Sequence, residues 1–255
     1  MERAAIVTAG ALLVLALAAG SAGAVSTPAY ITAAVADSAR PEADKARDAE
    51  RKPAETLEFA GVKPGDEVLE LAPGKGYYTR LLSAVVGPRG KVYAIASPPR
   101  PNAAPDAPPP AAAVQAIAAD PHYANVKVDV VRISQVRLPG NVDVVWTSQN
   151  YHDFHNLTDT DALAIDKAAF NHLKPGGTYF VLDHSATPGS GFKDTSTLHR
   201  IDEEAVKKEV ESAGFELVGE SDALRNKEDP RTAKVFDPSI RGHTDQFILV
   251  FRKKT

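Results

Sequence analysis

Short apolar runs alternate with helical patterns along most of the chain, and this alternation restricts the fold more than any other feature of the sequence. Buried strands are predicted at residues 68–71, 92–96, 126–133, 142–146 and 178–182. Helical patterns between them cover residues 77–86, 111–119 and 159–173. Strands that alternate with helices of this length run parallel, and the helices cover both faces of their sheet.

The last part of the chain departs from this alternation. A helix is predicted at residues 202–213, followed by strands at 215–218 and 246–251. The charged segment between these two strands, residues 219–245, has no helical pattern and is predicted to be a loop. Two consecutive strands without a crossover helix indicate an antiparallel pair at one edge of the sheet.

Composition sets the class of protein. The chain has 255 residues, 44% of them hydrophobic, which is enough for one sizeable domain with a continuous core. The formal net charge is −4 and the basic residues are scattered, so no nucleic-acid partner is expected. The absence of cysteine excludes disulfides, thiolate zinc sites and a catalytic thiol.

The N-terminus has the pattern of a cleavable signal peptide. Arg3 precedes an apolar run at residues 4–19, and Ala22-Gly23-Ala24 fits the small-residue cleavage site. Residues 1–24 are therefore predicted to be removed near Val25, which makes the mature protein periplasmic or secreted, without stable membrane insertion. An uncleaved anchor is the alternative, but the run is shorter than the roughly 20 residues that span a bilayer.

Residues 25–54 are predicted to form a helical extension, and residues 55–255 the main domain. Within that domain, residues 97–110 are rich in proline and alanine, which favours extended backbone without a packed core. This segment follows the second strand and is expected to lie over the carboxyl edge of the sheet. Both a solvated surface insertion and a lid fit its composition.

A glycine-rich turn follows the first strand. Glu70 lies at the strand's end, and Ala72-Pro73-Gly74-Lys75-Gly76 lead into a helix that begins at Tyr77. Glycines here let a ligand approach bare backbone, and the first amides of the helix can donate to an anionic group. Taken alone, such a turn fits a ligand site and a simple tight turn equally well.

In context, this turn resembles that of the class I S-adenosylmethionine-dependent methyltransferases. The resemblance covers about residues 55–253 and includes Val62-Lys63-Pro64-Gly65-Asp66, Leu173-Lys174-Pro175-Gly176-Gly177 and the closing strand pair. More narrowly, residues 147–153 and 241–246 resemble a group of exported bacterial proteins known as predicted methyltransferases. The resemblance implies a Rossmann-like α/β fold, a doubly wound seven-stranded sheet of order 3-2-1-4-5-7-6 with the last strand antiparallel.

The resemblance also implies S-adenosylmethionine as the cofactor. Ligands of such sheets bind where the winding reverses, beyond the carboxyl ends of the strands. The residues implied to contact the cofactor there are Glu70, Ala72, Gly74, Gly76, Tyr77, Ser97, Ser134, Gln149 and Asn150. Glu70 would support the loop and contact the amino-acid part of the cofactor.

Three of these positions depart from the family pattern. Ser97 and Ser134 stand where the family usually carries acidic residues near the ribose and the adenine, and Ala72 stands where a glycine is common. A serine makes a neutral hydrogen bond, worth about 0.5–1.5 kcal/mol, where a charged acceptor gives about 1.5–3 kcal/mol. The two serines therefore predict weakened cofactor binding.

Polar side chains after the fourth and fifth strands are the candidates for chemistry. Tyr151, His152 and Asp153 follow the fourth strand, and Asp183 and His184 follow the fifth. Methyl transfer is an in-line displacement in which the enzyme mainly orients the nucleophile. His152 or His184 could remove its proton, with an aspartate orienting the imidazole. The alternative is that these groups only bond neighbouring loops.

No metal is expected, because the sequence has no tight ligand spacing such as HExxH. The histidines and aspartates at the two strand ends nevertheless leave open a metal that chelates a catechol-like acceptor. His199-Arg200 and Arg241-Gly242-His243 could fold over the pocket, although surface ion pairs and turns are the simpler interpretation.

The leading hypothesis is methyl transfer from S-adenosylmethionine to a small-molecule acceptor. A non-catalytic exported ligand-binding protein that keeps the fold is the alternative, and the two serines favour it. A hydrolase or lyase that uses a His–Asp pair in the same pocket is a third option. The absence of a Gly-x-Ser-x-Gly elbow argues against a serine hydrolase.

Overall fold

The computed structural model describes residues 27–99, 106, 108–158 and 160–254. The predicted signal peptide lies outside the described residues, as does much of the Pro/Ala-rich segment.

One mixed sheet of seven strands has the order β3-β2-β1-β4-β5-β7-β6. The strands are β1 Glu67–Leu71, β2 Lys91–Ala96, β3 Val126–Val130, β4 Val142–Ser148, β5 Leu173–His184, β6 Phe215–Ser221 and β7 Gln246–Lys253. The first five strands pair in parallel, and β7 pairs antiparallel with both β5 and β6. The predicted strand order and the antiparallel closing pair are confirmed.

Nine α-helices accompany the sheet in the described part of the chain. They are α1 Ala29–Val35, α2 Glu42–Lys45, α3 Asp48–Arg51, α4 Pro53–Ala60, α5 Tyr77–Val86, α6 Ala112–Ala119, α7 Tyr151–Phe154, α8 Ala162–His172 and α9 Glu203–Ser212. Among the described residues, we find no helix with the length and apolar character that crossing a bilayer requires.

Two apolar cores lie on opposite faces of the sheet. On one face Trp146 of β4 stacks on Phe180 of β5, with ring centroids 3.9 Å apart, and α5 packs in the same core. On the other face Ile165 of α8 and Val206 of α9 are fully buried. Because both faces are covered, the central strands are buried at successive rather than alternate positions, and their mostly apolar runs are the pattern on which the prediction rests.

Several strand bounds differ from the predictions, and two of these differences have a clear cause. β3 ends at Val130, whose pair with Ala96 is the last between the two strands, and a 3-10 turn at Ile133–Gln135 begins at the last residue of the predicted strand. β5 begins at Leu173, where the prediction has the end of a helix, because Leu173 pairs with Val142 before an irregular stretch of β5 that precedes the pair of Thr178 with Val144. In both places backbone pairing with a neighbour decides the bounds, and apolar periodicity does not report it.

The N-terminal extension packs on the main domain as short helices. Ile31 of α1 is fully buried in the same core as α5. The fully buried guanidinium of Arg40 donates two bonds to the carboxylate of Asp48, at 2.6 and 2.9 Å, and one to the carbonyl of Val35. Asp48 also accepts a bond from the Tyr77 hydroxyl at 2.7 Å. These contacts hold α3 against the start of α5.

Replacing Arg40 with alanine should destabilise the protein by about 2 kcal/mol, because Asp48 would lose its bidentate partner in a partly buried setting. Chemical denaturation of the purified variant measures this loss. Lys45→Ala in the neighbouring helix removes only an exposed ion pair with Glu42 and should change stability by less than about 0.5 kcal/mol. Equal effects of the two substitutions would contradict the anchoring role of Arg40.

Candidate functional site

A cavity of 430 Å³ opens at the carboxyl edge of the sheet. β1 lies between β2 and β4, so the winding reverses beside it and a crevice forms beyond its end. The described residues that line the cavity are Arg47, Arg51, Glu70, Ala72, Pro73, Gly74, Lys75, Tyr77, Tyr78, Ala96, Ser97, Pro110, Ser148, Gln149, Asn150 and Asp153. Seven of the nine predicted cofactor residues line the cavity: Glu70, Ala72, Gly74, Tyr77, Ser97, Gln149 and Asn150. Gly76 and Ser134 are not among the lining residues.

The glycine-rich turn forms one wall of the cavity. Gly74 and Gly76 both have left-handed backbone, with φ of 58° and 79°. Gly76 does not line the cavity but packs against α6. A Cβ built on Gly76 would lie 2.1 Å from Cδ1 of Ile117 in that helix, so the turn leaves no room for a side chain there. A Cβ at Gly74 would meet nothing within 4 Å, which leaves the backbone at this position open to a ligand.

Two further cavity residues hold left-handed backbone without being glycine. Ala72 has φ of 50° and Gln149 has φ of 58°. The conformation of Ala72 explains why a glycine is common at this position, since left-handed backbone costs a residue with a Cβ about 1–2 kcal/mol. The Asn150 amide donates to the Ala72 carbonyl at 2.8 Å and links the ends of β1 and β4. Strain at both strand ends is typical of a functional site.

Glu70 places a buried carboxylate at the cavity. Its side chain accepts a bond from the Thr79 hydroxyl at 2.6 Å, and the residue is only 2% exposed. Burial raises the pKa of Glu70 from 4.5 to about 7, with the Thr79 bond opposing the shift. The described structure shows no cation paired with this carboxylate.

Arg51 places a largely buried cation at the same cavity, with its side chain 11% exposed, and the sequence did not predict it. Its guanidinium lies 4.5 Å from the centre of the Tyr77 ring and donates to the amide oxygen of Gln149 at 2.5 Å. Its Nε has no hydrogen-bond partner in the described structure, and its ion-pair contact with Glu50 is 3.9 Å long. Burial lowers the pKa of this guanidinium.

No motif marks Arg51 in the sequence, because it lies in the N-terminal extension, far in the chain from the glycine-rich turn. The neighbouring Arg47 also lines the cavity and pairs with Glu50 at 2.6 Å. The signal that the sequence offers is two arginines spaced one helical turn apart.

The two serines of the predicted cofactor set are separated by the structure. Ser97 lines the cavity at the end of β2. Ser134 lies in the 3-10 turn after β3, where its hydroxyl accepts a bond from Thr160 at 2.8 Å.

Tyr77, another residue of the predicted cofactor set, lines the cavity, and its hydroxyl donates a hydrogen bond to Asp48.

Next to the cavity, His152 is paired with Asp183. Nδ1 of His152 lies 2.8 Å from one carboxylate oxygen of Asp183, and the backbone amide of His152 donates to the other at 2.7 Å. Burial disfavours the charged imidazole, but the charge of Asp183, its hydrogen bond to the ring and the charge of Asp153 together outweigh burial and raise the pKa of His152. Asp183 is fully buried, which favours its neutral form, but the hydrogen bonds from His152 and the charges of His152 and His184 together lower the pKa of the carboxyl.

A second histidine joins this pair. Nδ1 of His199 lies 3.3 Å from Nε2 of His152, and Oδ1 of Asp153 lies 3.6 Å from the same Nε2. His199 has left-handed backbone, with φ of 56°. Arg200 fixes the segment through a fully buried ion pair with Asp229 at 2.8 Å. The expected surface role of His199-Arg200 is therefore wrong for Arg200, which is 0% exposed.

Of the predicted catalytic residues, only Asp153 lines the cavity among the described residues. His184 lies away from the lining, its Nδ1 is 2.8 Å from the Thr244 hydroxyl, and burial lowers its pKa to about 4. Tyr151 is fully buried in the core between the sheet and α8. Its hydroxyl oxygen lies 2.7 Å from a carboxylate oxygen of Asp166 and 2.9 Å from one of Glu209. Neither side chain is placed to meet a ligand in the cavity.

Replacing Glu70 with glutamine should stabilise the protein at high pH. Because burial raises the Glu70 pKa from 4.5 to about 7, the protonated form stabilises the fold below 4.5, and that contribution is lost as pH rises through about 7. At about pH 8 the variant should exceed the wild type by up to about 3 kcal/mol, and at about pH 4 the two should be nearly equal.

Urea denaturation at both pH values measures this difference, with Glu216→Gln on the exposed side of β6 as the control. A Glu70→Gln effect that is independent of pH would contradict the raised pKa.

Comparison with known proteins finds relatives named methyltransferase. The chain is 26% identical over 208 residues to the ubiquinone/menaquinone biosynthesis C-methyltransferase UbiE of Shewanella woodyi, covering 76% of this chain. It is 29% identical over 147 residues to the UbiE protein of Ectopseudomonas mendocina, covering 53% of this chain. It spans 66% of the length of the former and 48% of the latter. No family model matches the chain.

Solved structures share the fold at low identity. A SAM dependent methyltransferase from Aquifex aeolicus aligns with a TM-score of 0.59 at 20% identity, over 83% of this chain and 95% of that one. The [4+2]-cyclase SpnF aligns with a TM-score of 0.58 at 17% identity, over 84% of this chain and 81% of that one. The chain therefore has the Rossmann-like fold of the class I S-adenosylmethionine-dependent methyltransferases.

Proposed function

We propose that the chain binds S-adenosylmethionine in the 430 Å³ cavity and transfers its methyl group to a small-molecule acceptor. The observation that carries this proposal is a pair of opposite charges on the cavity wall, the largely buried Arg51 and the buried Glu70, neither of which has a full charge partner in the described structure. The amino-acid part of S-adenosylmethionine carries one carboxylate and one ammonium group. It supplies the two charges that the cavity lacks.

The remaining lining fits the rest of the cofactor. The turn from Ala72 to Gly76 presents bare backbone and the first amides of α5, which can donate to the ligand. Ser97 at the end of β2 lies where the resemblance places the ribose, and it offers a neutral hydroxyl. The relatives named methyltransferase support the same cofactor.

The acceptor would lie at the Asp153 end of the cavity. Asp153 is half exposed there and lies 3.6 Å from Nε2 of His152, which Asp183 orients through Nδ1. In-line attack on the sulfonium methyl needs an oriented nucleophile, and a nucleophile that carries a proton must lose it. Asp153, contacted by His152, is the group placed to accept that proton. SpnF, a cyclase with this fold, illustrates that the site and not the fold sets the reaction.

Calorimetric titration with S-adenosylmethionine tests the cofactor site. The wild type should bind in the micromolar range. Arg51→Met keeps an apolar stem against Tyr77 but removes the charge, and it should weaken binding about 10–100-fold, the loss expected for one charge-assisted bond. Arg89→Met on the exposed surface is the matched control and should bind like the wild type.

Two outcomes would contradict the proposal. One is a folded wild type that shows no binding at millimolar cofactor. The other is an Arg51→Met variant with unchanged affinity, which would show that the Arg51 cation takes no part in the site.

We further propose that residues 1–24 direct export to the periplasm or outside the cell, as the exported group that the sequence resembles would do. The support is the apolar run at residues 4–19 followed by Ala22-Gly23-Ala24. N-terminal sequencing of the protein expressed in a Gram-negative host should give a chain that begins near Val25 in the periplasmic fraction. An intact N-terminus on membrane-bound protein would indicate an anchor instead.

A further inference from the structure

We propose that His152, Asp153 and His199 form a binding site for a divalent transition metal of the zinc class at the edge of the cavity. One donor atom of each residue, namely Nε2 of His152, Oδ1 of Asp153 and Nδ1 of His199, lies within 4.8 Å of the others. The proposal departs from the expectation, drawn from sequence spacing, that the chain holds no metal. Spacing alone did not suggest it, because His199 lies far beyond Asp153 in the chain.

The separations of the three atoms match those of ligands around one ion. They are 3.3 Å between the two imidazole nitrogens, 3.6 Å from His152 to Asp153 and 3.7 Å from His199 to Asp153. The circle through three points at these separations has a radius of about 2 Å, which is close to the usual zinc–nitrogen and zinc–oxygen bond lengths. An ion near the centre of this triangle reaches all three donors with little movement.

The surroundings of His152 are those of a metal-binding histidine. Nδ1 lies 2.8 Å from the fully buried carboxylate of Asp183. Because Nδ1 donates its proton to that carboxylate, Nε2 carries the lone pair that a metal requires. Asp183 also accepts a hydrogen bond from the backbone amide of His152 at 2.7 Å. The two contacts together fix the position of the ring and its tautomer.

His199 is held in place by its neighbours. Its left-handed backbone, with φ of 56°, is unfavourable for a residue with a Cβ. A parallel bridge between Ser185 and Ile201 and the buried ion pair of Arg200 with Asp229 hold the segment beside β5. The fold thus fixes His199 where its Nδ1 faces His152.

The donor set selects the class of ion. Two imidazoles and one carboxylate suit zinc, iron, cobalt or nickel, whereas magnesium and calcium prefer sites made only of oxygen. The side chain of Asp153 is 51% exposed and borders the cavity, so the ion would keep a free coordination position for water or a ligand. If the proposed methyl transfer holds, that position faces the acceptor, and an acceptor oxygen bound there would lose its proton more readily.

Metal titration of the purified protein tests the site. After treatment with a chelator, the protein should bind one Zn²⁺ per chain in calorimetry, and Co²⁺ should develop the visible absorption bands of nitrogen-ligated cobalt. His199→Gly removes one ligand while suiting the left-handed backbone, so it should fold without metal and lose at least about tenfold in affinity.

His122→Ala is the matched control. His122 is a surface histidine whose Nε2 lies 2.8 Å from Asp37, and among the described residues it belongs to no group of three side chains that could hold a metal ion. This variant should bind zinc like the wild type. Absence of zinc binding at about a hundred micromolar would overturn the proposal. Equal zinc affinity of the wild type and the His199→Gly variant would also overturn it. Either result would mean that the contact between His152 and His199 is only a hydrogen bond.

The same samples separate this proposal from the proposed function. S-adenosylmethionine is titrated into the chelator-treated protein and into the zinc-loaded protein. Zinc binding without cofactor binding would contradict the proposed function alone, and cofactor binding without zinc binding would contradict the metal site alone.

Discussion

The parallel pairing of β1 with β2 on one side and β4 on the other is the constraint on which the rest of the structure depends. Glu70 of β1 pairs in register with Ala94 and Trp146, so the three strands end together at one edge of the sheet. Their connections leave on opposite faces because the winding reverses there, and the crevice that results is the cavity. The left-handed backbone of Ala72 and Gln149 occurs immediately after two of these strand ends, where the chain turns sharply to line it.

The cavity is completed by a segment that is distant in sequence. Arg40, bonded to Asp48, and Tyr77, bonded to the same carboxylate, place α3 beside the glycine-rich turn and thereby bring Arg51 into the wall. The largely buried guanidinium of Arg51 and the buried carboxylate of Glu70 have no full charge partners in the described structure, which costs free energy unless a ligand supplies the partners. A zwitterionic amino acid at one end of the ligand accounts for both charges with one molecule.

The sheet and the turn could be predicted from the sequence because both depend on local patterns. Apolar runs with interposed helices indicate parallel strands, and the glycines after β1 indicate a turn that needs left-handed backbone. Arg51 could not be predicted, and for His199 the sequence favoured a surface position over one at the pocket. Each reaches its site through contacts that join distant segments, Arg40 with Asp48 in one case and Arg200 with Asp229 in the other. Ser134 and Tyr151 show the converse: each lies near the right strand end, but hydrogen bonds to Thr160 and Asp166 hold them away from the cavity.

The most direct measurement is a crystal structure of the protein with S-adenosylhomocysteine, the demethylated cofactor. The account predicts that the ligand's carboxylate contacts the guanidinium of Arg51, that its ammonium lies at Glu70, and that its ribose lies beside Ser97. A ligand bound outside this cavity, or one whose carboxylate has no contact with Arg51, would contradict the central claim that the N-terminal segment and the glycine-rich turn together form the cofactor site.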